Sequence, residues 1–494
     1  MEQQLKIGQG QLSGVRESGV SRFLGIPYAA PPFGSRRMKP PESPLAWSGV
    51  RDVTRYGPTV PKSPYPAPYD GIFEEPDIPG EDCLNLSVWT PDPAGLYPVF
   101  VWIHGGAFTN GSNAVPQYDG TAFARHGVVC VTINYRLGAD GFLDTGDAHT
   151  NIGILDQTAA LRWVKDNIAD FGGDPSRVTI GGESAGAMSV ATLLASPLAG
   201  GLFHGAILQS GAGHHAISRS TAQRVAEALA VRLGLPPNRD ALAAAPVADL
   251  LAAQAALSTD IQMAPDPGAW GEIAANLMAF EPVIDQSVVT GLPIDGIRKG
   301  AGAGVPVLIG TNRDEQLLFL APSGALGMVT DQVLRLAAAG YGFSDPDDVI
   351  ALYAKENGQS PGHTLAALAG DWFFRIPAIR LAEARAAGPA PTYVYEFRWE
   401  SRAMGGILGS CHYLEVPFVF DSLDSAGADR ITGRDAPQQL AEEMHQTWVR
   451  FIVEGEAGWA AYSPAHRAVG VFGGSVSTED DPGGERRQIW DGLR

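Results

Sequence analysis

Gly182-Glu183-Ser184-Ala185-Gly186 sets a hydroxyl between two glycines, directly after the strand-like Arg177–Ile180 and before the helical run Ala187–Leu194. A serine at so sharp a turn holds a strained backbone, and the flanking glycines leave room where the chain crowds itself. The pentapeptide alone is a weak signal. Its strand–turn–helix setting makes it a candidate nucleophile, with the Ala185 N–H at the helix start facing any oxyanion that forms. Earlier, His104-Gly105-Gly106-Ala107-Phe108 follows the run Val99–Ile103. Adjacent glycines there let the Gly105 and Gly106 amides converge on the same point, completing an anion-stabilising hole.

A serine nucleophile needs a base, and the base needs an orienting acid. In α/β-hydrolases these follow the serine in the order acid, then histidine. The run Val305–Ile309 leads into Gly310-Thr-Asn-Arg-Asp-Glu315, so Asp314 and Glu315 both stand at a strand's carboxyl end. Bare chemistry does not choose between them. Four histidines follow. His445 falls in the helical pattern Gln438–Ile452, and His363 and His466 follow Pro-Gly and Pro-Ala in polar surroundings that suit surface loops. His412 follows the strand Thr392–Phe397 and a glycine-rich turn, and is the best-placed base.

The elements that position these residues read as alternating strands and helices. Short apolar runs at Val99–Ile103, Val128–Asn134, Val178–Ile180, Ala206–Leu208, Val305–Ile309 and Tyr393–Phe397 suit strands buried on both faces. Helical patterns such as Leu155–Asn167 lie between them. This predicts a mostly parallel central sheet flanked by helices, with ligands bound beyond the strands' carboxyl ends. Regions rich in Ala and Leu, around 221–280 and 330–388, read as inserted helical subdomains. Without a linker or a repeat, residues 1–494 are expected to form one catalytic domain.

A net charge of −19 with no Lys/Arg cluster argues against nucleic acid. No run approaches the length needed to span a bilayer, and no signal-type segment is present, so no membrane anchor and a cytoplasmic location are expected. Cys83, Cys130 and Cys411 are widely spaced and odd in number, which suits buried reduced thiols. His214-His215 lacks the pattern of a metal site, and no glycine-rich stretch has dinucleotide-binding spacing, so neither metal nor cofactor is expected.

Taken together, the sequence resembles the type-B carboxylesterase/lipase family of the α/β-hydrolase fold, which includes bacterial para-nitrobenzyl esterases, cholinesterases and the non-catalytic neuroligins. The resemblance is carried by Phe23–Gly34, Trp47–Val50, Glu81–Trp89, Asn134–Gly138, Asn151–Gln157, Phe171–Pro175, the Ser184 motif, Leu208–Gly211, Gly310–Glu315 and Cys411–Phe418. It implies a carboxylic-ester hydrolase working through an acyl-enzyme on short-chain or aryl esters. The implied triad is Ser184, Glu315 and His412, and the implied oxyanion hole is Gly105, Gly106 and Ala185. Glu183 would support the site electrostatically, and Ser210 matches a serine lying behind the triad.

The chain departs from the usual pattern at Ala187, Gln286 and Gln316, and no cysteine precedes Cys83 to close its loop. The position where cholinesterases carry a tryptophan falls near Phe73, which disfavours choline esters. An amidase or peptidase using the same triad, and a neuroligin-like binding protein, are the alternatives. The natural ester is beyond the sequence, as is the oligomeric state, for which a monomer is expected.

Overall fold

The computed structural model describes residues 1–356 and 360–494. Its spine is a run of seven parallel strands: β1 (Tyr97–Ile103), β2 (Val129–Ile133), β3 (Gly173–Glu183), β4 (Gly205–Gln209), β5 (Val307–Asn312), β6 (Thr392–Phe397) and β7 (Ala468–Phe472). Their spatial order is β2-β1-β3-β4-β5-β6-β7. Antiparallel strands Glu2–Ile7, Gly10–Glu17, Val20–Pro27 and Asn85–Thr90 extend the sheet beyond β2, and Val476–Asp480 closes the other edge. Parallel strands are hydrophobic on both faces because helices cover both. Accordingly β1 from Pro98 onward, β2 and β4 are buried throughout.

All the short apolar runs become strands of this spine, so the fold is an α/β-hydrolase sheet, as the sequence implies. The expected strand over 178–180 is longer, starting at Gly173, and the expected helix over 155–167 starts at Ile152. The regions around 221–280 and 330–388 are both rich in helices. The first holds Arg219–Leu233, Arg239–Ala244 and Val247–Met263. The second holds Asp331–Gly340, Pro346–Glu356, Pro361–Gly370 and Ile376–Arg385, with a single π-helical turn at Asp371–Arg375 joining the last two.

Register brings the working residues to one edge. Ile103 pairs with Gly182, Glu183 with Gln209, and Gln209 with Gly310. The segments that continue past these residues therefore leave the sheet side by side at its carboxyl edge. Among the described residues no helix is long and apolar enough to cross a membrane. The three cysteines are free and buried.

Candidate active site

Ser184 stands between the end of β3 and helix α1 (Ala185–Ala195), with φ 56° and ψ −123°. That conformation is costly for a residue with a side chain, by about 1–3 kcal/mol, and persists only where the surroundings enforce it. Here the Ser184 N–H donates to the Gln209 carbonyl at 2.9 Å, and the Ser184 carbonyl accepts from Met188 N–H at 2.9 Å. A side chain at Gly186 would run into the Ile103 carbonyl oxygen, so only glycine lets α1 pass this close to β1. Residues 178–183 and 185–194 are buried, while Ser184 keeps partial exposure. Among the described residues its hydroxyl has no hydrogen-bond partner. Nucleophile–base contacts are often loose before substrate binds.

The loop after β1 lies against Ser184. Gly106, Ala107 and Phe108 all have positive φ, and the turn is closed by Thr109 and Asn110 N–H donating to the Gly106 carbonyl at 2.9 and 2.8 Å. Glu75 clamps it from outside, accepting from Gly111 N–H at 2.7 Å and from Asn110 Nδ2 at 2.9 Å. A Cβ on Gly105 would lie 2.7 Å from Glu183 Oε2 and 3.2 Å from Ser184 Cβ, so the backbone here rests directly against Ser184. The amides of Gly105 and Gly106 have no acceptor among the described residues. Ala185 opens α1, where an N–H lacks an acceptor within its own helix. These are the three donors expected of an oxyanion hole.

The imidazole of His412 is buried between two carboxylates. Nδ1 lies 2.6 Å from Glu315 Oε2, and Nε2 lies 3.0 Å from Glu183 Oε1. Glu315 is held from behind, its Oε1 accepting from the Asn312 N–H at 2.8 Å. Asp314, the other carboxylate left open by the sequence, turns away: its Oδ2 accepts from Ser410 N–H at 2.9 Å and pairs with Arg313 at 2.7 Å. Glu183 differs from Glu315. Its Oε1 is close to Nε2 but off the line of a hydrogen bond, and has no other partner among the described residues.

Burial pushes the Glu183 carboxyl up to about 8, the neighbouring Glu415 and Glu315 adding to the rise against the pull of His412. Burial would lower His412, but the charges of Glu183 and Glu315 outweigh it and raise it to about 9. A proton on Glu183 removes its share of that pull, so the two groups titrate as a unit.

A further carboxylate, Glu415, escaped the sequence reading. It is fully buried and accepts from Asn312 Nδ2 at 2.6 Å and Gln209 Nε2 at 3.2 Å, while Gln209 Oε1 accepts from Trp448 Nε1 at 2.9 Å. Its only sequence signal is its place three residues after His412. Burial raises it to about 7, helped by the charge of Glu315. Ser210 sits at the end of β4 with φ 51°, its N–H donating to the Gly310 carbonyl at 2.9 Å. Its buried hydroxyl has no partner among the described residues.

Aromatic side chains close the site. Phe374 and Phe319 pack on the His412 ring with centroids 4.7 and 5.3 Å away. Phe374 belongs to the π-helical turn, a local irregularity that the 3.6-residue pattern does not signal. Phe319 is 40% exposed beside His412, whereas Phe108 is fully buried against Phe142. Trp372 lies under the Arg494 guanidinium, 4.1 Å from its ring centre.

His445 packs in the core, with Nδ1 2.8 Å from the Val419 carbonyl, and His466 is exposed in a turn. His363 is exposed, but lies in the first turn of a helix rather than in a loop, because Pro361 at the first helical position starts that helix. His215 is buried with Nε2 3.3 Å from the Phe373 carbonyl. Among the described residues no group of three or more His, Cys, Asp or Glu could hold a metal ion.

Comparison with known proteins shows the family. The sequence model of the Carboxylesterase family matches residues 1–467. The chain is 38% identical to a para-nitrobenzyl esterase of Bacillus subtilis (strain 168), covering 97% of this chain and 96% of that one. It is 36% identical to a phenmedipham hydrolase of Pseudarthrobacter oxydans over 96% of this chain and 92% of the other. Among solved structures, a Geobacillus stearothermophilus carboxylesterase superposes with a TM-score of 0.85 at 37% identity, covering 99% of each chain.

Proposed function

The chain belongs to the carboxylesterase family and is a serine carboxylic-ester hydrolase; from that premise we propose that it cleaves short-chain and aryl esters through Ser184, His412 and Glu315. His412 Nε2 takes the hydroxyl proton as Ser184 Oγ attacks the ester carbonyl carbon. The amides of Gly105, Gly106 and Ala185 hold the oxyanion, and Glu315 keeps the imidazole oriented and stabilises its charged form. When the tetrahedral intermediate collapses, the carbon–oxygen bond to the alcohol breaks and Nε2–H protonates the departing oxygen. Water then attacks the acyl-enzyme with His412 again as base, and the acid leaves as Ser184 recovers its proton.

The reading rests chiefly on one observation. His412 holds a fully hydrogen-bonded carboxylate with Nδ1, and its Nε2 lies 3.0 Å from Glu183, the residue directly before the strained, partly exposed Ser184. The name of the B. subtilis relative specifies para-nitrobenzyl esters, whose alcohol carries an aromatic ring, and this favours esters of aromatic alcohols here. The three free thiols suit a reducing compartment, in keeping with a cytoplasmic enzyme.

Hydrolysis of short-chain nitrophenyl esters, wild type beside Ser184→Ala, tests this. The variant is expected to lose on the order of a million-fold in kcat, as other triad hydrolases do. Activity that survives the substitution would place the chemistry elsewhere. A wild type faster on the matched anilides than on the esters would make it an amidase.

A further inference from the structure

Two of the proposed oxyanion donors sit in the loop after β1, and a carboxylate 35 residues before Asn110 grips that loop at its far end. Glu75 Oε1 accepts from Gly111 N–H at 2.7 Å, and Oε2 accepts from Asn110 Nδ2 at 2.9 Å. Asn110 Nδ2 also donates to the Ser63 carbonyl at 2.8 Å. A carboxylate accepts at both oxygens, so Glu75 suits two donors that an amide in its place could not both serve. Burial raises the Glu75 carboxyl, while the Gly111 bond and the charge of Lys62 pull against that rise.

The residues that Glu75 holds lie directly on the two glycines. A Cβ on Gly111 would run into the Gly105 carbonyl oxygen, 2.5 Å away, and into His104 Nδ1. A Cβ on Gly106 would run into the Asn110 carbonyl. His104 Nδ1 donates to the same Gly105 carbonyl at 2.8 Å. In a trans peptide the C=O and the N–H point opposite ways. The Gly105 carbonyl is turned toward His104 and Gly111, so the Gly106 N–H is turned away from them. Gly105 itself lies against Ser184.

We propose that Glu75 is a positioning residue of the oxyanion hole: through Gly111 and Asn110 it fixes the Gly105–Gly106 peptide with the Gly106 N–H aimed at the developing oxyanion. The proposal rests on the esterase reading above and adds a residue to it. A donor stabilises an oxyanion most when it is aimed before the charge forms. Two adjacent glycines do not supply that aim themselves, because their backbone resists twisting least. The effect of Glu75 reaches the reaction through the backbone, so it acts on kcat and leaves the charge state of the base alone.

Glu75→Gln tests this on short-chain nitrophenyl esters. The glutamine amide nitrogen must face one of the two donors, so one bond gives way to a repulsion. We expect kcat to fall about 10- to 100-fold, below the roughly 10²- to 10³-fold cost of deleting an oxyanion donor outright. KM is expected to hold. A trifluoromethyl ketone, which adds to Ser184 and leaves an oxyanion in the hole, should bind more weakly by the factor that kcat/KM loses. The acid limb of the kcat/KM profile should stay in place. Thr59→Val is the control, removing the bond from Ile78 N–H to Thr59 Oγ1 at 3.0 Å and so loosening the same segment away from Asn110 and Gly111. It should lower the melting temperature and keep kcat.

An unchanged kcat in folded Glu75→Gln overturns the proposal, as does a loss confined to KM or a ketone affinity that does not follow kcat/KM. A displaced acid limb would show action through the base, and an equal loss of kcat in Thr59→Val would show a merely structural part; either sinks it. If Glu75→Gln does not fold, Asn110→Ala removes one of the two bonds from the other side, with a loss of about 3- to 10-fold in kcat expected. Wild type inert on every ester sinks the esterase reading instead, so the two failures are distinguishable.

Discussion

The two nitrogens of one imidazole face two differently built regions. On the Nδ1 side, Glu315 has both oxygens engaged, by His412 and by the Asn312 amide. Asn312 in turn ties to Glu415, Gln209 and Trp448. Asn312, Gln209 and Trp448 of that chain sit on strands or a helix, and Glu315 and Glu415 stand in the turns beside them. On the Nε2 side, Glu183 has an oxygen without a hydrogen bond, Ser184 and Tyr413 have positive φ, and the amides of Gly105 and Gly106 have no acceptor among the described residues. Buried polar groups are normally satisfied, and where they are not, a functional explanation is due. One side is built to hold the ring still, and the other is left open for a substrate to complete.

The sharpest way to break this contrast is to remove the holding side. Glu315→Gln preserves size but offers Nδ1 an amide that no longer fixes the required tautomer or compensates the imidazolium. We expect kcat to fall by about 10⁴-fold, the cost of the equivalent change in a serine protease triad. Asp314→Asn is the control, because Asp314 faces Arg313 and the Ser410 amide rather than His412. Equal losses in the two variants, measured on one nitrophenyl ester with folding checked by circular dichroism, would mean that the two carboxylates are not divided in this way.

The contrast also explains what the sequence could convey. The Ser184 turn was legible because its geometry depends on local sterics, with glycines at 182 and 186 where a side chain would collide with backbone. The strands were legible because burial on both faces writes itself as continuous apolar runs. The choice between Asp314 and Glu315 did not follow from residue chemistry, since it depends on where the Ser410 amide and Arg313 fall after the chain returns from β6. Only the family resemblance pointed to Glu315 beforehand. Glu415 was missed because a glutamate three residues past a histidine carries no signal until Asn312 and Gln209 surround it. The strain at Tyr413 and the π-helical turn under Phe374 are likewise consequences of packing, with no period of their own.

On the open side, Glu183→Gln sharpens the comparison through pH. In the proposed mechanism His412 must be neutral to accept the serine proton, so activity is expected to rise with pH as His412 deprotonates. The Glu183 charge helps hold His412 up at about 9. Removing that charge lowers the histidine, and the acid limb of the kcat/KM profile is expected to move to lower pH. Glu315 remains in the variant, so the shift is partial and the loss at the optimum is smaller than in Glu315→Gln. A limb that stays in place or moves to higher pH would show that Glu183 does not set the charge state of the base.

The smallest effect on catalysis is expected one layer further back, at Glu415→Leu. The leucine fills much of the space but leaves the Asn312 and Gln209 amides without their shared acceptor. An unsatisfied buried amide costs about 1–3 kcal/mol, so the variant should unfold at a visibly lower temperature. Asn312 still donates its main-chain N–H to Glu315 Oε1, because that bond belongs to the end of β5 and not to the Asn312 side chain. The ring should therefore stay held, with kcat falling less than in Glu183→Gln while stability falls more. The opposite order, activity lost with an unchanged melting temperature, would make Glu415 part of the reacting site instead of its support. The boundary between the two regions would then have to be drawn behind Asn312.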